Sequence, residues 1–255
     1  MISKFRCLCL FTLFVGITAY AEPMRPLLNK ENRFPEQGKA DINFRVDFVE
    51  TDDSDGAGST NYVSYIPKLR WRPTEALNVY GTVPFVTSDP DDGDDESGIG
   101  DIRVGMEFRA WEDIFGYPWV MPHIEYVSKT GDEDKGLGRD DDSVILGLAI
   151  GSVVEDMLHF IADGRYEVYS NSDNIWSIGG AIIWDISEKF SVLGEFRTSS
   201  KDVGDDDDDD DDHPTLWLGG LSYKVSEYFT WTVRGGGGAN SQVDSMVSVE
   251  LNYAL

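Results

Sequence analysis

The residues best suited to chemistry in this chain are carboxylates. Asp205–Asp212 is an unbroken run of eight aspartates; Asp89, Asp91, Asp92, Asp94, Asp95 and Glu96 form a second cluster, and Asp140–Asp142 a third. Carboxylates at this density are suited to collecting Ca²⁺ or Mg²⁺, with Asp89, Asp91, Asp92, Asp205, Asp208 and Asp212 as candidate weak ligands. The DPDDGDDE stretch lacks the Glu that would close a twelve-residue calcium loop, so no firm metal site is expected. A solvated, self-repelling loop is the plainer reading of all three clusters. The histidines His123, His159 and His213 have no paired metal spacing, and no local motif places a nucleophile beside a base. Gly98-Ile99-Gly100 and Gly235–Gly238 are followed by neither GK[ST] nor a helix, so they read as turns or close strand approaches rather than phosphate loops. No cofactor and no catalytic residue is expected.

Composition narrows the classes further. The 255 residues carry 47 acids against 21 Lys and Arg, a formal charge of −26. Nucleic-acid binding needs a basic footprint, which is missing. With 41% hydrophobic and 12% aromatic residues, the chain is too apolar for an acidic disordered protein. Its two cysteines, Cys7 and Cys9, exclude a disulfide scaffold.

Both cysteines fall in residues 1–21, which read as a signal peptide. Lys4 and Arg6 precede the apolar stretch Cys7–Thr18, and Ala19-Tyr20-Ala21 is a small-x-small cleavage site. Losing Lys4 and Arg6 would take the net charge from −26 to −28. Residues 22–39 have no period and read as a polar periplasmic lead-in. The longest later apolar run is VILGLAIGSVV, too short to span a bilayer as a helix. A membrane location would therefore require a β-barrel.

From residue 40 the hydrophobic period is two. Ile42, Phe44, Val46 and Phe48 alternate with polar neighbours, as do Ile102, Val104, Met106 and Phe108, and Val247, Val249, Leu251, Tyr253 and Leu255. Repetition of the pattern gives about twelve strands, each near the length of a tilted membrane strand. Short connections alternate with longer ones at 50–59, 88–97, 130–142, 199–213 and 236–245, with 170–174 as an exception. These six segments hold most of the acids and only Lys135, Arg139 and Lys201 as bases. Trp71, Trp111, Trp119, Trp176, Trp184 and Trp217 lie near strand ends, where membrane interfaces place aromatics. The expectation is an all-β, transmembrane antiparallel up-and-down β-barrel over 40–255, in a Gram-negative outer membrane, meeting lipid and lipopolysaccharide.

In such a barrel apolar side chains face lipid and polar ones the lumen. The expected lumen-lining residues are Arg45, Lys68, Arg70, Arg103, Glu107, Arg109, Glu125, Asp163, Arg165, Glu167, Glu195, Arg197 and Arg234. They form either a charged pore wall or a set of ion pairs that closes the interior. On the apolar face, Val104 and Leu148 should refuse charge, while their neighbours Arg103 and Gly147 should accept polar replacements better.

Two stretches carry a family resemblance. GIGDIRVG at Gly98–Gly105 resembles the Gly-x-Gly-Asp strand opening of the outer-membrane barrels labelled as the MetA pathway of phenol degradation. Residues 122–151 resemble that family's strand–loop–strand, with Thr130-Gly131, Gly136-Leu137-Gly138 and Asp140–Asp142 in the loop; Lys129 stands where the family usually has Pro. The resemblance implies a barrel that passes small, often hydrophobic, organic molecules, and supplies no catalytic residue. The reading is a channel or passive transporter for small solutes. The alternatives are a closed structural barrel whose acidic loops bind divalent cations, and an outer-membrane enzyme recognisable by a Ser–His–acid constellation.

Overall fold

The computed structural model describes residues 25–30, 33–52, 58–91, 93–112, 118–200 and 213–255. Period-two alternation produces fifteen antiparallel strands that close into a barrel of twelve. They are β1 (Ala40–Asp52), β2 (Ser59–Trp71), β3 (Leu77–Thr82), β4 (Phe85–Pro90), β5 (Glu96–Ile99), β6 (Ile102–Phe108), β7 (Trp111–Glu112) and β8 (Trp119–Ser128), then β9 (Ser143–Val154), β10 (Leu158–Tyr169), β11 (Ile175–Ser187), β12 (Phe190–Ser199), β13 (Thr215–Lys224), β14 (Phe229–Ala239) and β15 (Val243–Ala254). Each stave pairs with the staves before and after it in the chain, and β1 pairs with both β2 and β15, which removes the open edge.

Five of the fifteen are fragments that make up two staves. β3 and β4 are one stave: Thr82 faces Lys68 and Phe85 faces Tyr65, so the register runs through the break. The ladder lapses there because Pro67 and Pro84 have no N–H to give. β5, β6 and β7 make the next stave. Thr82 pairs with Arg103 but Phe85 with Ile99, so one extra residue bulges at Gly100-Asp101 and turns Asp101 inward.

The barrel is apolar outside and polar inside. Ile42, Phe44, Val104, Met106, Leu146, Leu148 and Ile182 are exposed on the outer wall, while Asp41, Arg70, Glu107, Asp163 and Arg234 are buried. Val104 at 52% and Leu148 at 46% exposure therefore lie on the face that meets lipid. Trp176 and Trp217 ring the end that carries the long loops, and Trp71, Trp111 and Trp184 the end with short turns; all five are exposed. Trp119 is an exception. It is 3% exposed and lies inside, over Gly151.

Two sequence expectations need correction here. The presumed long loop 236–245 is a three-residue turn, because the glycines from Gly235 onward continue β14 to Ala239 and Asn240 takes a left-handed φ of 50°. Glycine is needed in that strand because a Cβ at Gly236 would lie 1.9 Å from the Trp217 carbonyl oxygen. Gly147 does not accept polar replacements either. It faces His123 across the ladder, and a Cβ there would sit 2.1 Å from the ring Cε1. The expected signal peptide 1–21, the two cysteines and the Asp205–Asp212 run lie outside the described residues.

Candidate functional site

The lead-in at 22–39 is not simply a periplasmic segment. Residues 25–30 lie within the barrel, bonded to its inner wall. An irregular backbone inside a barrel must find partners for its N–H and C=O groups. The charged lumen residues are those partners. Glu195 on β12 accepts the backbone N–H of Leu27 at 2.8 Å and of Leu28 at 2.7 Å, one on each carboxylate oxygen. Arg165 and Arg197 both donate to the Leu28 carbonyl at 2.8 Å. Asn29 is 2% exposed and donates its amide to the carbonyls of Gly180 and Phe196, while its own oxygen accepts from Arg197. The Lys30 N–H donates to Asp163 at 2.9 Å, and Arg234 to the Arg25 carbonyl at 2.6 Å.

Asp163 is the hub of this arrangement. One oxygen meets His123 Nε2 at 3.0 Å; the other accepts from Arg165, Arg197 and the Lys30 backbone. Four groups converge on this buried carboxylate, so its charge is compensated. Further round the wall, Lys30 reaches Glu107 at 3.6 Å and Glu125 at 3.4 Å, and Arg103 meets Glu125 at 3.2 Å. Arg70 pairs with Asp41 through two guanidinium nitrogens, Arg45 with Asp47, and Arg234 with Glu250. Glu167 pairs with Arg139 from the 129–142 loop, near the loop end. Arg109 pairs with Glu112 at the turn end and lies 5.2 Å from the Phe34 ring.

Phe34 is buried toward the turn end. It packs with Trp119, Met121, Ala149, Ile161, Ala181, Ile183 and Leu193 in an apolar cluster inside the barrel. Such a cluster departs from a wholly polar lumen. Its signal was in the sequence, since these strands carry apolar residues on both faces.

Tyr80 is the interior residue that periodicity passes over. Its hydroxyl donates to Glu125 and accepts from Lys30, and the Nζ atoms of Lys30 and Lys68 lie 4.3 and 4.2 Å from its ring centroid. The ring fits because Gly105 lies opposite, where a Cβ would fall 2.3 Å from Cζ.

At the loop end the residues of the GIGD and Thr-Gly…Gly-Leu-Gly motifs come together. Asp101 accepts the N–H of Gly131 and of Arg139, and the Thr130 hydroxyl donates to the Gly100 carbonyl and accepts from Ile102 N–H. Gly131 and Gly138 touch backbone to backbone. This clasp folds the loop so that Leu137 is 5% exposed. A chamber of about 480 Å³ remains inside the barrel, bounded by Arg25–Lys30 of the docked segment and by Leu137 of the clasped loop.

Among the described residues no Ser–His–acid arrangement is brought together. Ser191 donates to Asp185 rather than to His159, which holds the other carboxylate oxygen. Among the described residues no serine hydroxyl bonds a histidine, and no group of three or more His, Cys, Asp or Glu is placed to hold a metal ion. Asp91 accepts from the Ser59 backbone and hydroxyl, and Asp89 lies beside Asp95. The other candidate cation ligands, Asp92, Asp205, Asp208 and Asp212, lie outside the described residues.

The sequence profile of the family described as "Putative MetA-pathway of phenol degradation" matches residues 38–248. The chain belongs to that family. Its profile begins just before β1 and so leaves out the docked segment Arg25–Lys30. Among solved structures the chain is similar to an outer membrane channel from Pseudomonas putida F1, with a TM-score of 0.74 at 12% identity over 91% of this chain and 100% of that one. It is also similar to the KdgM porin, with a TM-score of 0.57 at 12% identity over 84% and 99%, and to the NanC porin, with 0.58 at 11% over 84% and 100%. These likenesses establish the fold as that of outer-membrane barrels. No protein of curated function matches the sequence.

Proposed function

We propose that the chain is an outer-membrane channel that passes small solutes, hydrophobic organic molecules among them, through its lumen. The observation that carries this reading is the incompletely filled interior. A segment of the chain's own N-terminal region occupies part of the lumen, yet a chamber of about 480 Å³ remains beside it. A barrel of eight strands is filled by its side chains and one of sixteen or more encloses an aqueous channel; twelve lies between them. The apolar outer wall and the two tryptophan rings support a location in the outer membrane, reached with removal of a leader at 1–21. The family's description refers to phenol degradation, which agrees with small organic solutes.

The polar interior supports transport rather than catalysis, since most of its ionisable groups pair with one another or with the docked segment. Single-channel recording in a planar bilayer tests the reading. Small discrete conductance steps are expected from the purified full chain. A silent barrel would favour the alternative, a closed structural barrel, for which the docked segment is the supporting observation.

A further inference from the structure

The charged groups around the chamber are not equally available. Arg70 is bound to Asp41, Arg45 to Asp47, Arg103 and Lys30 to Glu125, and Arg165 to Asp163. An incoming anion would have to break one of those pairs to use these cations. Lys68 differs. It lines the chamber from β2, partly exposed, and among the described residues no carboxylate lies within 4.0 Å of it. Its ammonium rests on the Tyr80 ring at 4.2 Å, which leaves its hydrogen-bond donors unsaturated. Asn43 and Thr82 are its cross-strand neighbours.

The wall beyond Lys68 changes character. Ile66 follows on the same inner face, and Pro84 and Val86 lie on the adjoining stave. Leu137 and Met246 complete an apolar lining. Pro84, Val86 and the Leu137 backbone converge around Gly100, where a Cβ would meet all three within 3.2 Å. Among the described residues, Lys68 is thus a cation with no ion-pair partner within 4.0 Å, in the field of Glu107 and beside an apolar wall, in a chamber within the range of small-molecule sites.

We propose that the chamber is a binding site for a small amphipathic monoanion, a carboxylate with a hydrocarbon body, whose head group pairs with Lys68 and whose body lies against Ile66, Pro84, Val86 and Leu137. The proposal rests on the channel reading and names the class of solute that the lumen retains. A fully ionic solute would leave the apolar wall uncovered, and a neutral hydrocarbon would leave Lys68 unpaired. An amphipathic carboxylate satisfies both.

Isothermal titration calorimetry on the detergent-solubilised full chain tests this, with hexanoate, hexanamide and acetate as probes. Hexanoate is expected to bind at least tenfold more tightly than either hexanamide or acetate. Lys68→Met should reduce hexanoate to the level of hexanamide, while Lys68→Arg retains the preference. Heat-modifiable migration shows that each variant is folded, and Lys68→Gln replaces Lys68→Met if the latter is not. Equal affinity for hexanoate and hexanamide, equal affinity for hexanoate and acetate, or undiminished binding by a folded Lys68→Met would each overturn the proposal. The comparison of probes on the unaltered chain needs no variant at all. Because calorimetry does not require conduction, a barrel that binds hexanoate through Lys68 but passes no current upholds the site while removing the channel reading. A conducting barrel with no preference for hexanoate does the reverse.

Discussion

The carboxylate of Glu195 holds the backbone N–H of Leu28 at 2.7 Å, across 167 residues of sequence. One partner belongs to the barrel wall and the other to the chain that precedes the first strand. Hydrogen bonds to a charged group contribute about 1.5–3 kcal/mol each, and Glu195 makes two to this backbone. The polar face that period-two alternation turns inward is therefore the seat of the docked segment as well as the wall of a lumen.

Access to the segment follows from that bond. Both cysteines, Cys7 and Cys9, lie within residues 1–21, so Leu28→Cys in a chain prepared without those residues would carry a single thiol. That thiol should react slowly with a bulky maleimide. Adding Glu195→Ala, with a loss of about 2 kcal/mol of docking energy, should accelerate labelling by at least tenfold while the barrel stays heat-modifiable. Equal labelling rates in the two backgrounds would show that Glu195 does not hold the segment.

The outer wall makes a separate prediction. Val104→Arg or Leu148→Arg should destabilise the barrel by about 2–4 kcal/mol, the cost of an Arg on the lipid face near the bilayer midplane. Equilibrium unfolding in urea from lipid vesicles measures it. An unchanged midpoint for both variants would invert the assignment of the faces.

Gly147 tests the inside of the same strand. Gly147→Ala should be destabilising because His123 occupies the space its Cβ needs. His123→Ala should relieve that clash, so the double variant should lose at least 1 kcal/mol less than the sum of the singles, a coupling typical of residues in contact. Strict additivity would mean that the ring moves aside at no cost.

Acid should loosen the loop end first. The Asp141 carboxyl, just before β9, is held below the ordinary range by hydrogen bonds from the Ser172 hydroxyl at 2.5 Å and the Asn171 amide at 2.6 Å. A lowered folded pKa stabilises the folded loop above the ordinary carboxylate range, and that contribution is lost as pH falls through the folded value. Proteolytic nicking at 170–174 should therefore be slow at neutral pH and rise only below about pH 4. Asp141→Asn should nick quickly at every pH. A variant as resistant as the parent would remove Asp141 from the account.

Strands, faces and closure were legible in the sequence because a half-buried strand repeats every two residues. The docked segment was not. Residues 22–39 have no period, and their partners Glu195, Asp163 and Arg197 are separated from them by more than a hundred residues. The polar residues themselves could be read as interior, but alternation says only which way a side chain points, and not what it bonds. Gly105 and Gly147 read as ordinary small residues, since the rings that require them, Tyr80 and His123, come from neighbouring strands. The four glycines from Gly235 read as a loop by composition, whereas the close backbone of Trp217 makes them strand. The motifs at Gly98–Gly105 and Thr130–Gly138 were recognisable without a role; the Asp101 clasp supplies one.

Single-channel conductance of the full chain beside Glu195→Ala tests the central claim most directly, that solutes pass through a lumen narrowed by the chain's own N-terminal segment. The parent should show small, discrete steps in a planar bilayer, and the variant steps at least twice as large or visibly more frequent, with heat-modifiable migration unchanged. Silence from both proteins, or identical steps from both, would contradict the account.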